Sequence, residues 1–404
     1  DIPAEFKRKD SSLLIFPPAI PKQQSQLNFF RDQSYQLYKR SQVLGFLTKE
    51  IKTIGIAGTH GKTTTSSMAA HIMNESGMPC SAFLGGITQN YNTNVLIGNH
   101  ANGSGWVVAE ADEYDRSFLQ LSPDIAVINN MDPDHLDIYE NEQAFYDSFN
   151  EYVKRLKPNG ILIRRVDVDI QVPAQASKSV TFGEAIEADY RIQNVVVEDG
   201  GVSFSIDHDF SRWNNIRIEM PGMHNVMNAT AAFLAAHFAG VSIDSIRASL
   251  STFGGVKRRF EYIYKNENLV YVDDYAHHPT ELEALLKAVR MVFPGKKVAT
   301  IFQPHLYTRT RDFMNEFAQS LALTDELLLM DIYPARELPI EGITSEALLE
   351  LIPSKNKKVV TKDSLLHELE KLNYDVVVTA GAGDIDRFIQ PIKMLCENKY
   401  GKGK

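Results

Sequence analysis

Gly58-Thr59-His60-Gly61-Lys62-Thr63-Thr64-Thr65 is the stretch whose residue types and spacing most clearly point to chemistry. It follows a short apolar run and opens a helical pattern, the context in which a chain cradles phosphate. Glycines let the backbone wrap close to the ligand. The helix start offers unpaired N–H groups and the positive end of a dipole. Lys62 can neutralise β/γ-phosphate charge, and the Thr63 hydroxyl can ligate Mg²⁺. The longer eight-residue loop would need glycine at position 56, where the chain has Ile56, so this is the shorter Gly-x-x-Gly-Lys-Thr form. A plain strand-to-helix turn is the competing reading, and Gly-Lys-Thr in this context weighs against it.

Two further apolar runs end in groups suited to a hard cation. Trp106–Ala109 leads into Glu110-Ala111-Asp112-Glu113, and Ile125–Ile128 leads toward Asp132-Pro133-Asp134-His135. In a parallel sheet all strand C-termini open on one crevice. Glu110 and His135 are therefore expected to meet at the phosphate loop, and a carboxylate there can hold Mg²⁺. Asp112, Glu113 and Asp115 read equally well as a solvated acidic turn.

The second half supplies polar groups of its own. Asn225 and Asn228, in His224-Asn225-x-x-Asn228, suit hydrogen bonds to a base or ribose, although asparagine is also a common helix cap. Lys257-Arg258-Arg259 lies where Gly254-Gly255 breaks the pattern, a hinge from which an arginine can reach phosphate across a cleft. Asp273-Asp274-Tyr275-Ala276-His277-His278-Pro279-Thr280 ends a strand and starts a helix. Neighbouring side chains in an extended segment diverge, so the paired histidines are read as base or substrate-orienting groups rather than metal ligands. Gln303-Pro304-His305, Arg309 and Arg311 form a basic edge after the next strand. Gly381-Ala382-Gly383-Asp384 follows the last one, a weak signal that close strand–helix packing would also explain.

The elements that must position these groups are α/β throughout. The chain has 404 residues, 44% hydrophobic and 23% charged, enough for two or three folded domains and unlike a disordered protein. A net charge of −9 argues against a generic nucleic-acid binder. No apolar run approaches the ~18–20 residues that span a bilayer. Asp1–Asp10 carries no signal-peptide pattern, and Cys80 and Cys396, the only cysteines, fit a reducing compartment. In the first 48 residues Leu13–Pro17 is predicted as a strand and Phe29–Leu37 as a helix, too little for a core of their own. From about Lys49, strands alternate with helices, as in Thr53–Ala57 followed by Lys62–Ser76, which predicts a mostly parallel sheet. The stretch from about Gly160 to Glu219 is predicted as an antiparallel addition. Beyond Phe253–Val256 a second series follows, with strands at Leu269–Asp273, Val298–Phe302, Glu326–Met330, Lys358–Val360 and Asp375–Thr379. Helices are predicted at Thr280–Val292 and Asp312–Leu323. The expectation is a partial N-terminal α/β domain (1–48), a central P-loop ATPase-type parallel-sheet domain (49–256) and a C-terminal Rossmann-like domain (257–404).

Gly58–Thr65, Glu110–Tyr114, Asp134-His135, His224–Asn228, Val256–Glu261, Asp273–Thr280 and Phe302–Arg311 occur in the order found in Mur ligases. The chain resembles that family from about residue 50 to 385, and its last two blocks resemble the alanine-adding members most. The resemblance implies a three-domain ligase of the bacterial cytoplasm, monomeric or weakly dimeric, that binds neither nucleic acid nor membrane. It implies ATP and Mg²⁺, with UDP-N-acetylmuramic acid and L-alanine as substrates. It makes Lys62 and Thr63 phosphate and Mg²⁺ ligands within the loop formed by Gly58, Thr59, His60, Gly61 and Thr64. Glu110 and His135 become Mg²⁺ ligands, and Asn228 and Asp274, with Asn225 beside them, contact adenine or ribose. Arg259 meets the γ-phosphate. Tyr275, His277 and Arg309 face the reacting centre and the amino-acid carboxylate, with Asp112, Glu113 and His278 on the substrate side.

The chain departs from the family pattern in two places. Leu306 stands where the family often has arginine. Residues 1–48 resemble only the later part of a UDP-binding domain, around Phe16-Pro17-Pro18-Ala19-Ile20. Two rival readings are a ligase of the same superfamily that recycles murein tripeptide, and a nucleotide switch without ligase chemistry. Asp1–Glu50 holds no Gly-rich turn after a strand, the usual cradle for a pyrophosphate. The chain is therefore expected to bind Mg·ATP but to hold UDP-N-acetylmuramic acid more weakly than a chain with that domain completed. Calorimetric titration of both ligands against both chains tests this, and equal affinity for the UDP-sugar would place the uridine site elsewhere.

Overall fold

The structure is a computed structural model that describes residues 2–9, 12–17, 20, 24–100, 105–133, 139, 141–198 and 200–400. His135 lies outside the described residues.

The N-terminal segment contains β1 (Leu14–Phe16), α1 (Ser25–Asp32), β2 (Leu37–Lys39) and α2 (Arg40–Glu50). β1 and β2 pair in parallel, Leu14 opposite Leu37 and Phe16 opposite Lys39. The first helix lies earlier than the predicted Phe29–Leu37. The Gln24 side chain accepts the N–H of Leu27 (2.8 Å) and starts it, and Ser34 at φ 55° turns the chain before Leu37 enters β2.

The central body is built from β3 (Lys52–Ala57), α3 (Lys62–Glu75), β4 (Cys80–Phe83), β5 (Val95–Leu96), β6 (Trp106–Glu110), β7 (Ile125–Ile128), α4 (Glu142–Val153) and β8 (Ile161–Arg165). It continues through β9 (Lys178–Gly183), β10 (Tyr190–Glu198), β11 (Gly201–His208), β12 (Ser211–Ile218), α5 (Met223–Phe238) and α6 (Ile243–Ser251). These strands form one ten-stranded sheet in the order β12-β11-β10-β9-β8-β7-β3-β6-β4-β5. Its middle strands are apolar on both faces, as parallel strands covered by helices must be; Ile54, Ile56, Val108 and Val127 are fully buried. The predicted antiparallel addition is only partly so. β8 and β9 extend the parallel sheet, and β10 also joins β9 in parallel through Tyr190 and Phe182. Only β10, β11 and β12 form an antiparallel meander. Side-chain alternation reports which face of a strand is wet. It carries no information about the direction of the neighbour.

The last body has β13 (Glu261–Lys265), β14 (Val270–Asp274), α7 (Pro279–Val292), β15 (Val298–Phe302), α8 (Tyr307–Asp312), α9 (Met314–Leu321) and β16 (Glu326–Met330). It ends with α10 (Ser345–Leu351), β17 (Lys357–Val360), α11 (Leu365–Lys371), β18 (Val376–Ala380) and α12 (Ile389–Tyr400). The sheet order is β13-β14-β18-β15-β16-β17, parallel except for β13, an edge strand the sequence reading did not foresee. The predicted helix Asp312–Leu323 is two, α8 and α9, separated at Phe313, whose φ of −121° is not helical.

Gly55 shows how tightly the central layers meet. A Cβ there would run into the Tyr152 hydroxyl and come 3.3 Å from Pro123 Cβ. That hydroxyl is buried without a hydrogen-bond partner among the described residues. Gly55→Ala should cost about 1–3 kcal/mol through overpacking. Tyr152→Phe should cost little alone and should restore most of the loss in the double variant, because it deletes the obstructing atom. Thermal and urea midpoints of the three variants check this.

Candidate active site

The phosphate loop connects β3 to α3. Gly58 and Gly61 both have positive φ (138° and 79°), and a Cβ at Gly61 would collide with the Asn228 carboxamide oxygen. Asn130 brackets the loop from β7: its Oδ1 accepts the His60 N–H (2.8 Å) and its Nδ2 donates to the His60 carbonyl (3.0 Å). Thr59 Oγ1 donates to the Asp132 carbonyl (2.6 Å). The loop is thus held from three sides, and Thr64 and Gly61 line the cleft above it.

Lys62 curls back over the loop. Its ammonium donates to the carbonyls of Gly58 (2.7 Å) and Thr59 (3.0 Å) and to Glu113 (2.9 Å). The Glu113 side chain is 1% exposed, so this is a buried ion pair and not an open substrate contact. Burial lowers the proton affinity of Lys62, but Glu113, Asp112 and Glu110 outweigh it and hold the pKa above its ordinary value. Burial also dominates at Glu113, whose carboxyl stays raised although Lys62 opposes the shift. Asp112 lies on the same turn and accepts the Tyr114 N–H (3.1 Å). Asp115 pairs with Lys39 (2.7 Å), so part of the acidic turn is structural.

Thr63 Oγ1 donates to Glu110 Oε1 (3.1 Å), and Glu110 Oε2 accepts the Gly85 N–H (2.8 Å). A hydroxyl and a carboxylate meeting beside the phosphate loop are the oxygen donors a hard divalent cation takes. Among the described residues no group of three or more His, Cys, Asp or Glu side chains is placed to hold a metal.

The second body faces the loop through its strand C-termini. Asp273 and Asp274 point to opposite sides of β14. Asp273 is fully buried and binds Arg258 Nε (2.9 Å) and the Thr379 hydroxyl (2.5 Å). Asp274 accepts the N–H groups of Phe260 and Ala276, both at 2.7 Å, and lines the cleft beside the loop with Asn225 and Asn228. Burial raises its carboxyl to about 6, against the pull of Arg259. Asn225 donates to the Pro221 carbonyl (2.7 Å), and Asn228 Oδ1 accepts from Thr65 (3.2 Å), so both are oriented from behind. The open space of the cleft, its solvent-facing mouth included, is about 880 Å³.

His277 Nδ1 lies 2.9 Å from the Tyr275 carbonyl and 3.3 Å from Glu281. Burial lowers its pKa, with Glu281 opposing and Arg309 and Arg259 adding to the fall. His278 is 6% exposed and caps α7. Its ring packs on Phe313 and His60 (4.7 and 5.2 Å), so it shapes the wall of the phosphate compartment. Arg309 is buried and close enough to act on the His277 and His305 rings. His305 beside it is pushed down to about 4 by burial and by the charges of His277 and Arg309. Leu306 enters α8 at φ 72° with its N–H on the Tyr333 carbonyl (2.9 Å).

Tyr275 lies under both hinge arginines, each guanidinium 5.3 Å from the ring. Arg259 lines the nucleotide cleft, the phosphate compartment and a third cleft that holds Glu110 and Tyr275. Glu281 was missed by the sequence reading. It lies three residues after His278, the spacing of a capping box, and that pattern could have found it. Asn130 was also missed, although it lies two residues past the end of a buried strand.

A phosphate loop at the carboxyl edge of one sheet, facing a basic edge of a second across a hinge, defines a nucleotide-using enzyme that works between two α/β bodies. The chain belongs to the Mur ligase family: residues 56–236 match the Mur ligase middle domain and residues 258–383 the Mur ligase glutamate ligase domain. It is 84% identical over 402 residues to the UDP-N-acetylmuramate–L-alanine ligase of Cytophaga hutchinsonii, covering 100% of this chain and 86% of that protein. Among solved structures it is similar to the UDP-N-acetylmuramate–alanine ligase of Thermotoga maritima (TM-score 0.79, 26% identity, 95% of this chain and 85% of that one). The MurF ligase of Thermotoga maritima in complex with ADP shares the fold (TM-score 0.71, 18% identity, 95% of each chain). Mur ligases are ATP-dependent ligases.

Its pairing with the buried Glu113 gives Lys62 a part in the fold as well as at the phosphate loop. Lys62→Ala should destabilise by about 3–5 kcal/mol, because it strands a buried carboxylate. Adding Glu113→Gln should recover most of the stability. Urea unfolding of both variants checks this, and an unaltered midpoint for Lys62→Ala would show that the pair contributes nothing.

Proposed function

We propose that the chain joins L-alanine to the carboxylate of UDP-N-acetylmuramic acid with ATP, through an acyl phosphate, in peptidoglycan precursor synthesis in the bacterial cytoplasm. The observation that carries the reading is the position of Arg259, one cation lining the nucleotide cleft, the phosphate compartment and the third cleft. An ATP phosphate and an acid to be activated would meet at that point. The likeness to the Cytophaga hutchinsonii ligase supports the choice of substrates. In this reading residues 49–256 form the ATP-binding unit and residues 257–404 the ligase unit. Residues 1–48 border the sugar-nucleotide side, where Ile15, Arg40 and Leu44 line the third cleft. The protein works as a monomer or weak homodimer, without nucleic acid or membrane; among the described residues no helix is long and apolar enough to cross a membrane.

A carboxylate is a poor electrophile, because hydroxide or oxide leaves badly. Transfer of the γ-phosphoryl group makes the acyl phosphate, the amine attacks it, and phosphate leaves. The first step concentrates negative charge, which Lys62 and Arg259 offset. Thr63 and Glu110 would hold Mg²⁺, with His135 as the third ligand, and the ion would supply further neutralisation of the phosphates. Asn225, Asn228 and Asp274 orient the nucleoside. The second step needs a neutral amine. His277 Nδ1 faces a carbonyl that can only accept, so it keeps its proton and leaves Nε2 as the ring's acceptor. Burial keeps this imidazole neutral at neutral pH, ready to take a proton from the amine. Tyr275 and Arg309 back the amino-acid side.

A phosphate-release assay tests the reading. Release should require ATP, a divalent cation, UDP-N-acetylmuramic acid and L-alanine together, and should be absent in Lys62→Ala/Glu113→Gln. Release with murein tripeptide in place of L-alanine would favour the recycling ligase. Release indifferent to any amine would favour the nucleotide switch.

A further inference from the structure

Helix capping explains only one half of Glu281. Its Oε2 accepts the backbone N–H groups of His277 (3.1 Å) and His278 (3.3 Å). That is the reciprocal arm of a capping box, which glutamine performs as well as glutamate. Oε1 faces away from the helix. It lies 3.4 Å from His60 Nδ1 on the phosphate loop and 3.7 Å from Arg259 on the hinge. The side chain is 16% exposed and lines both the nucleotide cleft and the phosphate compartment. A carboxylate bordering a polyanion site repels the ligand, so capping is an insufficient reason for a charge there.

We propose that Glu281 is a positioning residue of the ligation step: its single carboxylate spans the cleft, ties the phosphate loop and the hinge arginine to His277, and presents that imidazole to the amine while the two bodies are held together. This rests on the reading of His277 as the proton acceptor. His277 is faced by Glu281 from α7, by Arg259 from the hinge, by Arg309 from α8 and by His305 from the loop before it. Of these charged neighbours Glu281 alone raises the proton affinity of His277, against burial and the two arginines. Glu281 itself feels His277, His60 and Arg259, and influences His224 and Asp274. Burial opposes its ionisation, yet His277, His60 and Arg259 together hold its carboxyl well below the usual range, so it stays charged across the working pH. Removing the charge therefore lowers the pKa of His277. The imidazole then deprotonates at lower pH and becomes a weaker base.

The test uses the full chain and two variants, Glu281→Gln, which keeps the cap and deletes the charge, and Glu281→Asp, which keeps the charge and withdraws it. His277→Asn assigns the His277 ring signals in an NMR titration. In Glu281→Gln the His277 midpoint should fall by about one pH unit, while the thermal midpoint moves by less than about 3 °C. In the phosphate-release assay kcat should drop about tenfold with KM for ATP changed less than about threefold. The acid limb of the L-alanine-dependent rate should move to lower pH, and Glu281→Asp should recover part of that movement. An unmoved His277 midpoint in Glu281→Gln, or a moved midpoint with kcat unchanged, overturns the proposal. If His277→Asn leaves the pH–rate profile intact, the proton-acceptor reading fails first and takes the proposal with it. If His277→Asn removes the acid limb while Glu281→Gln leaves it in place, only the proposal falls.

Discussion

The cleft depends on the hinge around residues 254–260 being held in one conformation. The central body grips its first part: Gly255 O accepts the Gln89 N–H (2.9 Å), and Lys257 N donates to Ile87 O (2.8 Å). The second body grips the rest. Arg258 binds Asp273 and the Gly381 carbonyl (2.9 and 2.7 Å), and Asp274 accepts the Phe260 N–H. Arg258 and Phe260 have positive φ (61° and 48°), a conformation that costs of order 1 kcal/mol or more at each non-glycine residue. Charge-assisted bonds to buried partners offset that cost. The result is geometric. With Arg258 turned into the second sheet, Arg259 projects into the space between the bodies, where every candidate compartment can use it.

Much of this was legible in the sequence where the information is local. The phosphate loop, the strands Val298–Phe302 and Glu326–Met330, and the polar runs after β6 and β14 all follow from apolar runs, glycines and short motifs. What was illegible depends on partners far along the chain. Lys62 and Glu113 are 51 residues apart, so no local pattern marks them as a pair. Asp273 and Asp274 are the same letter twice, and only the register of β14 against β18 sends one into the core and the other to the cleft. The direction of β8 and β9 is likewise set by how the chain returns between strands. β13 was different: Glu261-Tyr262-Ile263-Tyr264-Lys265 has readable strand character, hidden by its closeness to the basic hinge triplet.

A site for a triphosphate and an acid should be rich in cations, yet this one is dense in carboxylates. Each main cation already faces one: Lys62 faces Glu113, and Arg259 faces Glu281. In a low-dielectric cleft an unpartnered ammonium or guanidinium would be expensive to hold. The carboxylates make the cations affordable before any ligand arrives, and they fix where the positive charges point. They also limit how tightly a phosphate can bind, since it must compete with a resident acid for the same donors.

That competition is not equal at the two pairs, and the difference assigns them different work. Glu113 is sealed from solvent, so a phosphate that draws Lys62 away leaves a carboxylate with burial as its dominant influence. Lys62 is therefore best shared, its several donors serving loop, acid and phosphate together. Glu281 has alternatives, because His60, His277 and two backbone N–H groups surround it. Arg259 can leave it without stranding a charge. The hinge arginine is thus the movable cation of the site and the loop lysine the fixed one. That suits a reaction in which the phosphoryl donor stays bound at the loop while the acceptor must be drawn to it across the cleft.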